Sequence, residues 1–81
     1  GPITYSGSVD LTENQISDIA PLAKLTGLTR LYLGYNQISD IGPLKELKNL
    51  VEVDLTGNPL DAVSRDTHVP ALRARGVGVG W

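Results

Sequence analysis

Apolar residues recur along this 81-residue chain with a period of 22 residues. The hexapeptide NQISDI occupies residues 14–19 and returns unchanged at residues 36–41. Most aliphatic side chains between residues 9 and 63 fall into columns at this spacing: Val9, Leu31 and Val53; Leu11, Leu33 and Leu55; Ile16, Ile38 and Leu60; Ile19, Ile41 and Val63. A fixed period of about 20–50 residues indicates stacked coils, each of which buries its apolar side against the next.

Each coil is predicted to contain a strand and a short helical turn. Alternating apolar and polar residues at 31–33 and 53–55 predict short parallel strands, with one face of the sheet buried and the other exposed. Segments 18–22 and 40–44 predict helical turns on the opposite side of the coil. There Asp18 and Asp40 would cap free backbone N–H groups, and the prolines suit the first helical positions.

A column of three asparagines follows the strands: Asn14, Asn36 and Asn58. A side-chain amide at such a turn can pair with backbone groups of its own turn and of the neighbouring one. We therefore predict that this column is a structural ladder and has no catalytic role.

Residues 28–38 and 50–60 share the pattern L-x-x-L-x-L-x-x-N-x-L, with Val53 replacing one leucine; residues 6–16 give a partial copy in which Ser6 replaces another. This pattern resembles the leucine-rich repeat, and the N-x-I-x-D-I-x-P-L segment resembles its internalin-like, bacterial class. The resemblance covers residues 6–81. It implies an α/β fold, namely a short right-handed solenoid with a parallel concave β-sheet, short helical turns on the convex side and a helical C-terminal cap. It also implies protein binding through the concave face, the solvent-facing side of the sheet, without catalysis.

The whole chain, residues 1–81, is predicted to form one domain. Residues 1–5 are a tag remnant or a minimal lid, residues 6–60 form the repeats, and residues 61–81 form the cap. At the N-terminal end a minimal lid and an open strand edge remain alternatives.

Within the cap, Asp61 or Ser64 is expected to cap a helix that begins near Ala62. Pro70 is expected to interrupt that helix and to start a second turn at 70–75. Gly76 fits the helix end, and residues 77–79 can add a fourth strand. The side chains predicted to face the core are Val63, Val69 and Leu72.

Two outward columns on the strands form the candidate binding surface. At the 22-residue spacing, Ser8 aligns with Arg30 and Glu52, and Asp10 aligns with Tyr32 and Asp54. Tyrosine and arginine are enriched at binding hot spots. The candidate protein-binding residues are therefore Asp10, Arg30, Tyr32, Glu52 and Asp54. The alternative is an ordinary solvated face on which Arg30 pairs with Glu52, a contact of little energy at a surface.

Composition narrows the classes of function. The net charge is −2 and no basic run exists, which argues against nucleic-acid binding. No apolar stretch approaches the roughly 20 residues that span a bilayer. The chain has no cysteine and one histidine, His68, so the sequence predicts no metal site, no cofactor and no enzyme. His68 is expected to make one hydrogen bond in the cap, and Trp81 is expected to cover the cap edge.

The leading hypothesis is a protein-interaction module that binds an unidentified protein partner and belongs to a larger bacterial protein. The alternative is a minimal or engineered solenoid that self-associates through an open N-terminal strand edge, since an unpaired edge is a template for another chain. The sequence does not indicate a cellular compartment.

Overall fold

The computed structural model describes residues 7–81 and contains one parallel sheet of four strands: β1 (Gly7–Asp10), β2 (Leu28–Tyr32), β3 (Glu52–Asp54) and β4 (Gly78–Gly80). The strands lie side by side in chain order, so each coil stacks on the one before it. This arrangement confirms the predicted solenoid with its fourth strand. The predictions for residues 1–5 and for Ser6 lie outside the described residues.

Short 3-10 turns occupy the convex side of the first two coils. They span Ala20–Lys24 and Gly42–Glu46, and each has a proline in its first two positions. The carboxylate of Asp18 accepts a hydrogen bond from the Ala20 N–H at 2.9 Å, and that of Asp40 accepts one from the Gly42 N–H at 2.8 Å. The repeated SDI-x-P-L segment therefore starts both turns in the same way.

The third coil replaces the 3-10 turn with a helical cap. A π-helical turn spans Ser64–His68 and continues into α1 (Val69–Ala74). Asp61 is the cap at the start, because its Oδ1 accepts a hydrogen bond from the Ser64 N–H at 2.8 Å. None of the helices in residues 7–81 is long and apolar enough to cross a membrane.

The expected interruption at Pro70 is wrong, although α1 does begin at Val69 with the proline in its first two positions, close to the predicted turn at 70–75. The chain stays helical from Ala62 to Ala74, and the widening comes before the proline instead. There the Val69 N–H bonds to the Ser64 carbonyl five residues back. A widened turn relieves the contact between a proline ring and the preceding turn of helix, which in a regular α-helix forces a kink.

Gly76 ends the helix as predicted. It has a φ of +88°, the left-handed conformation that favours glycine. Its N–H bonds to the Arg73 carbonyl at 3.0 Å, and the Val77 N–H bonds to the Leu72 carbonyl at 3.1 Å. This pair of bonds is the Schellman arrangement, and it turns the chain into β4.

The core consists of the inward columns of the repeats. Buried aliphatic residues are Ile19, Leu28, Leu31, Leu33, Ile38, Ile41, Leu44, Leu47, Leu50, Val53, Leu55, Leu60, Val69, Leu72 and Val77. The prediction for Val63 is wrong, because it is 59% exposed. A helix in place of the 3-10 turn changes which residue points inward, and Ser64 is buried instead. Its hydroxyl accepts a hydrogen bond from the Ile41 N–H at 3.0 Å.

Candidate functional site

The five residues predicted to bind a partner lie together on the concave face. In the sheet register Arg30 is opposite Glu52, and Tyr32 lies between Asp10 on one side and Asp54 on the other. The 22-residue spacing therefore aligned these side chains as the strands pair them. Adjacent parallel strands are about 4.8 Å apart, so the columns form one continuous surface.

Glu52 is the centre of the hydrogen bonding on this face. The Tyr32 hydroxyl donates to Glu52 Oε1 at 2.9 Å, and Arg30 Nε lies 3.7 Å from the same oxygen. The Arg30 and Glu52 side chains are about half exposed, at 54% and 50%, so the ion pair adds little stability. The hydrogen bond to Glu52 raises the pKa of Tyr32 above its ordinary value. These contacts hold the aromatic ring beside a carboxylate.

The two aspartates of the face also end their strands. Asp10 Oδ1 accepts a hydrogen bond from the Thr12 N–H at 3.0 Å. Asp54 Oδ1 accepts from the Thr56 N–H at 3.0 Å and from the Thr56 hydroxyl at 2.6 Å. The hydrogen bonds from Thr12 hold the pKa of Asp10 below its usual value. Both carboxylates are therefore fixed in place by the threonine two residues further along the chain.

A groove runs along the face above β4, which sequence reasoning missed. Gly78 is opposite Glu52 and Gly80 is opposite Asp54, so no side chain stands over the last strand. Tyr32, Glu52 and Asp54 form the wall of this groove. The glycine alternation at the C-terminus was the available signal. The 22-residue columns do not place these glycines beside Glu52 and Asp54, because β4 pairs with β3 at a spacing of 26 residues (78 − 52).

The asparagine column joins neighbouring coils through backbone groups. Asn36 is buried, and its Oδ1 accepts a hydrogen bond from the Ile16 N–H of the preceding coil at 3.1 Å. Its Nδ2 donates to the Leu33 carbonyl of its own turn at 2.9 Å and to the Leu11 carbonyl of the preceding coil at 3.0 Å. One side chain thus satisfies groups of two coils.

Asn58 repeats this pattern one coil later. Its Oδ1 accepts from the Ile38 N–H at 3.1 Å, and its Nδ2 donates to the Leu33 and Leu55 carbonyls, both at 2.9 Å. Asn14 is exposed, and among residues 7–81 its amide donates to carbonyls of its own turn alone. The Leu33 carbonyl is therefore shared by the amides of two successive coils.

His68 and Trp81 differ from expectation. The His68 imidazole makes no hydrogen bond with any residue that the structure describes, and its Nε2 would lie 3.4 Å from a methyl group added at Gly42. Trp81 is 51% exposed, so the prediction that it covers the cap edge is not supported. At the end of the sheet, Arg73 Nη2 donates to the Val79 carbonyl at 2.9 Å. Within residues 7–81, no three or more His, Asp or Glu residues are grouped to hold a metal ion.

Comparisons with known proteins agree with this architecture. Residues 8–46 and 26–65 each match the family described as leucine-rich repeats in two copies. The structure is similar to the crystal structure of internalin C2 from Listeria monocytogenes, with 43% sequence identity and a TM-score of 0.65. The match covers 74% of this chain and 26% of that one, so this chain aligns with about a quarter of internalin C2. No curated protein matches the chain in a sequence search.

The family match, the fold and the length of the repeat thus agree with one another. Proteins built from these repeats are interaction scaffolds in general, and two overlapping matches span most of the chain. The chain therefore belongs to the leucine-rich repeat family and is internalin-like.

Proposed function

We propose that this domain binds a partner protein through its concave face, with Tyr32 at the centre of the contact. The observation that supports this role is the fixed position of the Tyr32 ring. Its hydroxyl is held by Glu52, and beside it the face opens into the groove over Gly78 and Gly80. An aromatic residue that is already ordered loses little conformational entropy on binding. It also offers a large apolar area to a partner.

The charge of the face favours a basic partner segment. Three carboxylates, of Asp10, Glu52 and Asp54, stand beside one guanidinium, of Arg30. The groove over β4 is bordered by Glu52 and Asp54 and contains no cationic side chain. A lysine or arginine of the partner in this groove would gain charge-assisted hydrogen bonds and faster association.

The wider context is a longer bacterial protein. The similarity to internalin C2 supports a bacterial source, and the small share of that protein which this chain matches supports a domain within a larger architecture. Catalysis has no part in the proposal. The chain's one imidazole, that of His68, lines a cavity with residues of the convex turn and the cap helix rather than the concave face.

The test begins with site-specific photo-crosslinking in a bacterial extract. A photoreactive residue replaces Tyr32 in one sample and Lys24, on a convex turn, in the other. A protein that cross-links from position 32 and not from position 24 is then purified, and its affinity is measured with the parent chain. Tyr32→Ala should weaken binding by more than about 1 kcal/mol, or about fivefold, and leave the thermal unfolding curve in place.

Lys24→Ala is the matched control and should bind as the parent does. Equal affinity of the Tyr32→Ala variant and the parent would refute the proposed site. A Glu52→Lys variant tests the charge argument, because the added lysine should repel a basic segment of the partner. The resulting loss of affinity should be larger at low salt than at high salt.

Self-association through the N-terminal edge is the second candidate. The inward residues of the first coil are only partly buried, whereas their counterparts one coil later are fully buried. These first-coil residues are Val9, Leu11, Ile16, Leu22 and Leu25. At the other end of the sheet, Arg73 occupies the outer Val79 carbonyl, which blocks pairing there. A second copy would therefore add at β1, and the mass in solution would rise with concentration.

A further inference from the structure

A small cavity lies on the convex side, between the second 3-10 turn and the cap helix. Its volume is about 110 Å³. Its apolar part is formed by Ile41, Ala71 and Leu72. Since one water occupies about 30 Å³ in the liquid, the cavity has room for a small polyatomic ion.

Positive charge is concentrated around this cavity. Lys45 and Lys48 approach it from the turn side, and His68 and Arg75 approach it from the cap. No carboxylate lines it, and no Asp or Glu forms an ion pair with any of these four residues in the part of the chain that the structure describes. The Asp61 carboxylate, which lies outside the lining, interacts electrostatically with His68. The chain as a whole is acidic, with a net charge of −2, so the charge of this patch is opposite in sign to the net charge of the chain.

Gly42 makes room for the imidazole at this cavity. The first coil has Ala20 at the same place in the repeat, and the two otherwise share the segment from Asn to Leu. A methyl group on Gly42 would lie 3.4 Å from His68 Nε2 and 3.1 Å from Asp40 Oδ1. Both distances are tight or close to the limit of ordinary contact, so glycine lets the imidazole approach the turn. The change from alanine to glycine occurs only where the cap packs.

Arg75 is already oriented at the rim of the cavity. Its Nη2 donates to the Leu47 carbonyl at 2.8 Å. This bond ties the guanidinium to the second coil, and its remaining N–H groups have no hydrogen-bond partner among residues 7–81. One N–H of the guanidinium is thus occupied, and a forked pair of its N–H groups stays available for an oxyanion.

We propose that this convex cavity is a binding site for a phosphate group, with Lys45, Lys48, His68 and Arg75 as its donors. Three permanent cations and an imidazole match a doubly charged tetrahedral anion. The donors converge from two different elements, as the three-dimensional array of phosphate oxygens requires. Lysines supply point charges, and one edge of the Arg75 fork and one nitrogen of His68 complete the set. The proposal concerns the face opposite the concave one and does not depend on the proposed function.

The site is tested by NMR titration of the ¹⁵N-labelled chain with inorganic phosphate at constant ionic strength. The amide signals of Ile41 and Gly42 and the imidazole signals of His68 should shift and saturate. The double variant Lys45→Gln/Lys48→Gln should bind phosphate at least tenfold more weakly. Lys24→Gln removes a lysine from the first convex turn, away from the cavity, and should bind as the parent does.

A second variant keeps every charged residue and changes only the room available to the His68 imidazole. Gly42→Ala restores the residue found in the first coil, so it should fold, but its methyl group fills the space beside the imidazole, 3.4 Å from His68 Nε2. We expect it to weaken phosphate binding several-fold. Shifts that do not saturate, or equal affinity in the double-lysine variant and the parent, would overturn the proposal. So would acetate binding as tightly as phosphate.

One further titration distinguishes a site for the free phosphate ion from a site for a phosphorylated molecule. Phenyl phosphate carries the same anion on a bulky ester. If it binds as tightly as inorganic phosphate, the open rim accepts a phosphorylated molecule. If it binds much more weakly, the site takes the free ion. Both results keep the phosphate assignment, while binding of neither compound in the parent chain refutes it.

Discussion

Removal of Asn36 is the sharpest perturbation of the stacked coils. In Asn36→Ala the Ile16 N–H loses its acceptor, which lies 3.1 Å away in the native fold. The three carbonyls that receive the Asn36 amide each keep another partner, and among them Gly34 O still accepts from the Glu13 N–H at 2.8 Å. Leu11 O still accepts from Asn14 at 2.8 Å, and Leu33 O still accepts from Asn58 at 2.9 Å. The single substitution therefore orphans one backbone group between two coils.

The expected cost follows from that count. One backbone N–H left without a partner in a part-buried place costs about 1–3 kcal/mol. The same range is the expected loss of unfolding free energy in Asn36→Ala. Asn14→Ala is the control, because its side chain is exposed and no preceding coil in the described residues donates to it. It should cost less than about 1 kcal/mol.

A double-variant cycle tests the shared carbonyl directly. Asn36→Ala and Asn58→Ala together leave Leu33 O without either amide. The combined loss should therefore exceed the sum of the two single losses by about 1 kcal/mol. Asn14 and Asn58 share no carbonyl, so that pair should be additive.

The assay is urea unfolding followed by circular dichroism, with sucrose added if a variant is partly unfolded, because excluded osmolytes favour the compact state. The slope with urea should stay constant across the set, so that midpoints report stability. A parent-like midpoint for Asn36→Ala would refute the ladder's role in stability. Additivity in the Asn36–Asn58 pair would refute the sharing of the Leu33 carbonyl.

Two further substitutions test local geometry. Asp61→Ala should destabilise the chain at neutral pH, because the hydrogen bond from Ser64 lowers the pKa of Asp61 below 3.8; this deficit should disappear as the pH falls through the folded-state pKa. Urea midpoints measured across the acid range check it, and a deficit independent of pH would contradict it. Gly57→Ala puts an alanine at a left-handed backbone position (φ +77°), with its methyl group 2.5 Å from the Tyr35 ring. It should lower the melting temperature more than Gly76→Ala, because position 76 (φ +88°) has open space around the added methyl group. Equal melting temperatures for these two variants would show that the ring moves away without cost.

The repeats were predictable because each coil must present the same inward surface to the next. That constraint produces the 22-residue period of the sequence. The pairing of Arg30 with Glu52 and of Tyr32 with Asp54 follows from this period. From the start of the cap onward, the 22-residue period no longer predicts which side chains are buried. Val63 continues its column in the sequence, but a helix there turns it to solvent and buries Ser64.

The finer features of the two surfaces were not predictable from columns alone. Tyr32 bonds to Glu52, which is its diagonal neighbour rather than the residue directly opposite, and side-chain length decides between the two. The convex cavity joins Lys45 and Lys48 to His68 and Arg75, which lie well apart in the chain. Only the packing of the cap helix on the second turn brings them together.

The claim that the concave face serves an outside partner is tested most directly by the mass of the chain in solution. Light scattering on a sizing column, over a wide range of concentrations, distinguishes an outside partner from a second copy. The account predicts a constant mass near 8.6 kDa, the mass of one chain. A mass that rises with concentration would contradict it and would favour self-association instead.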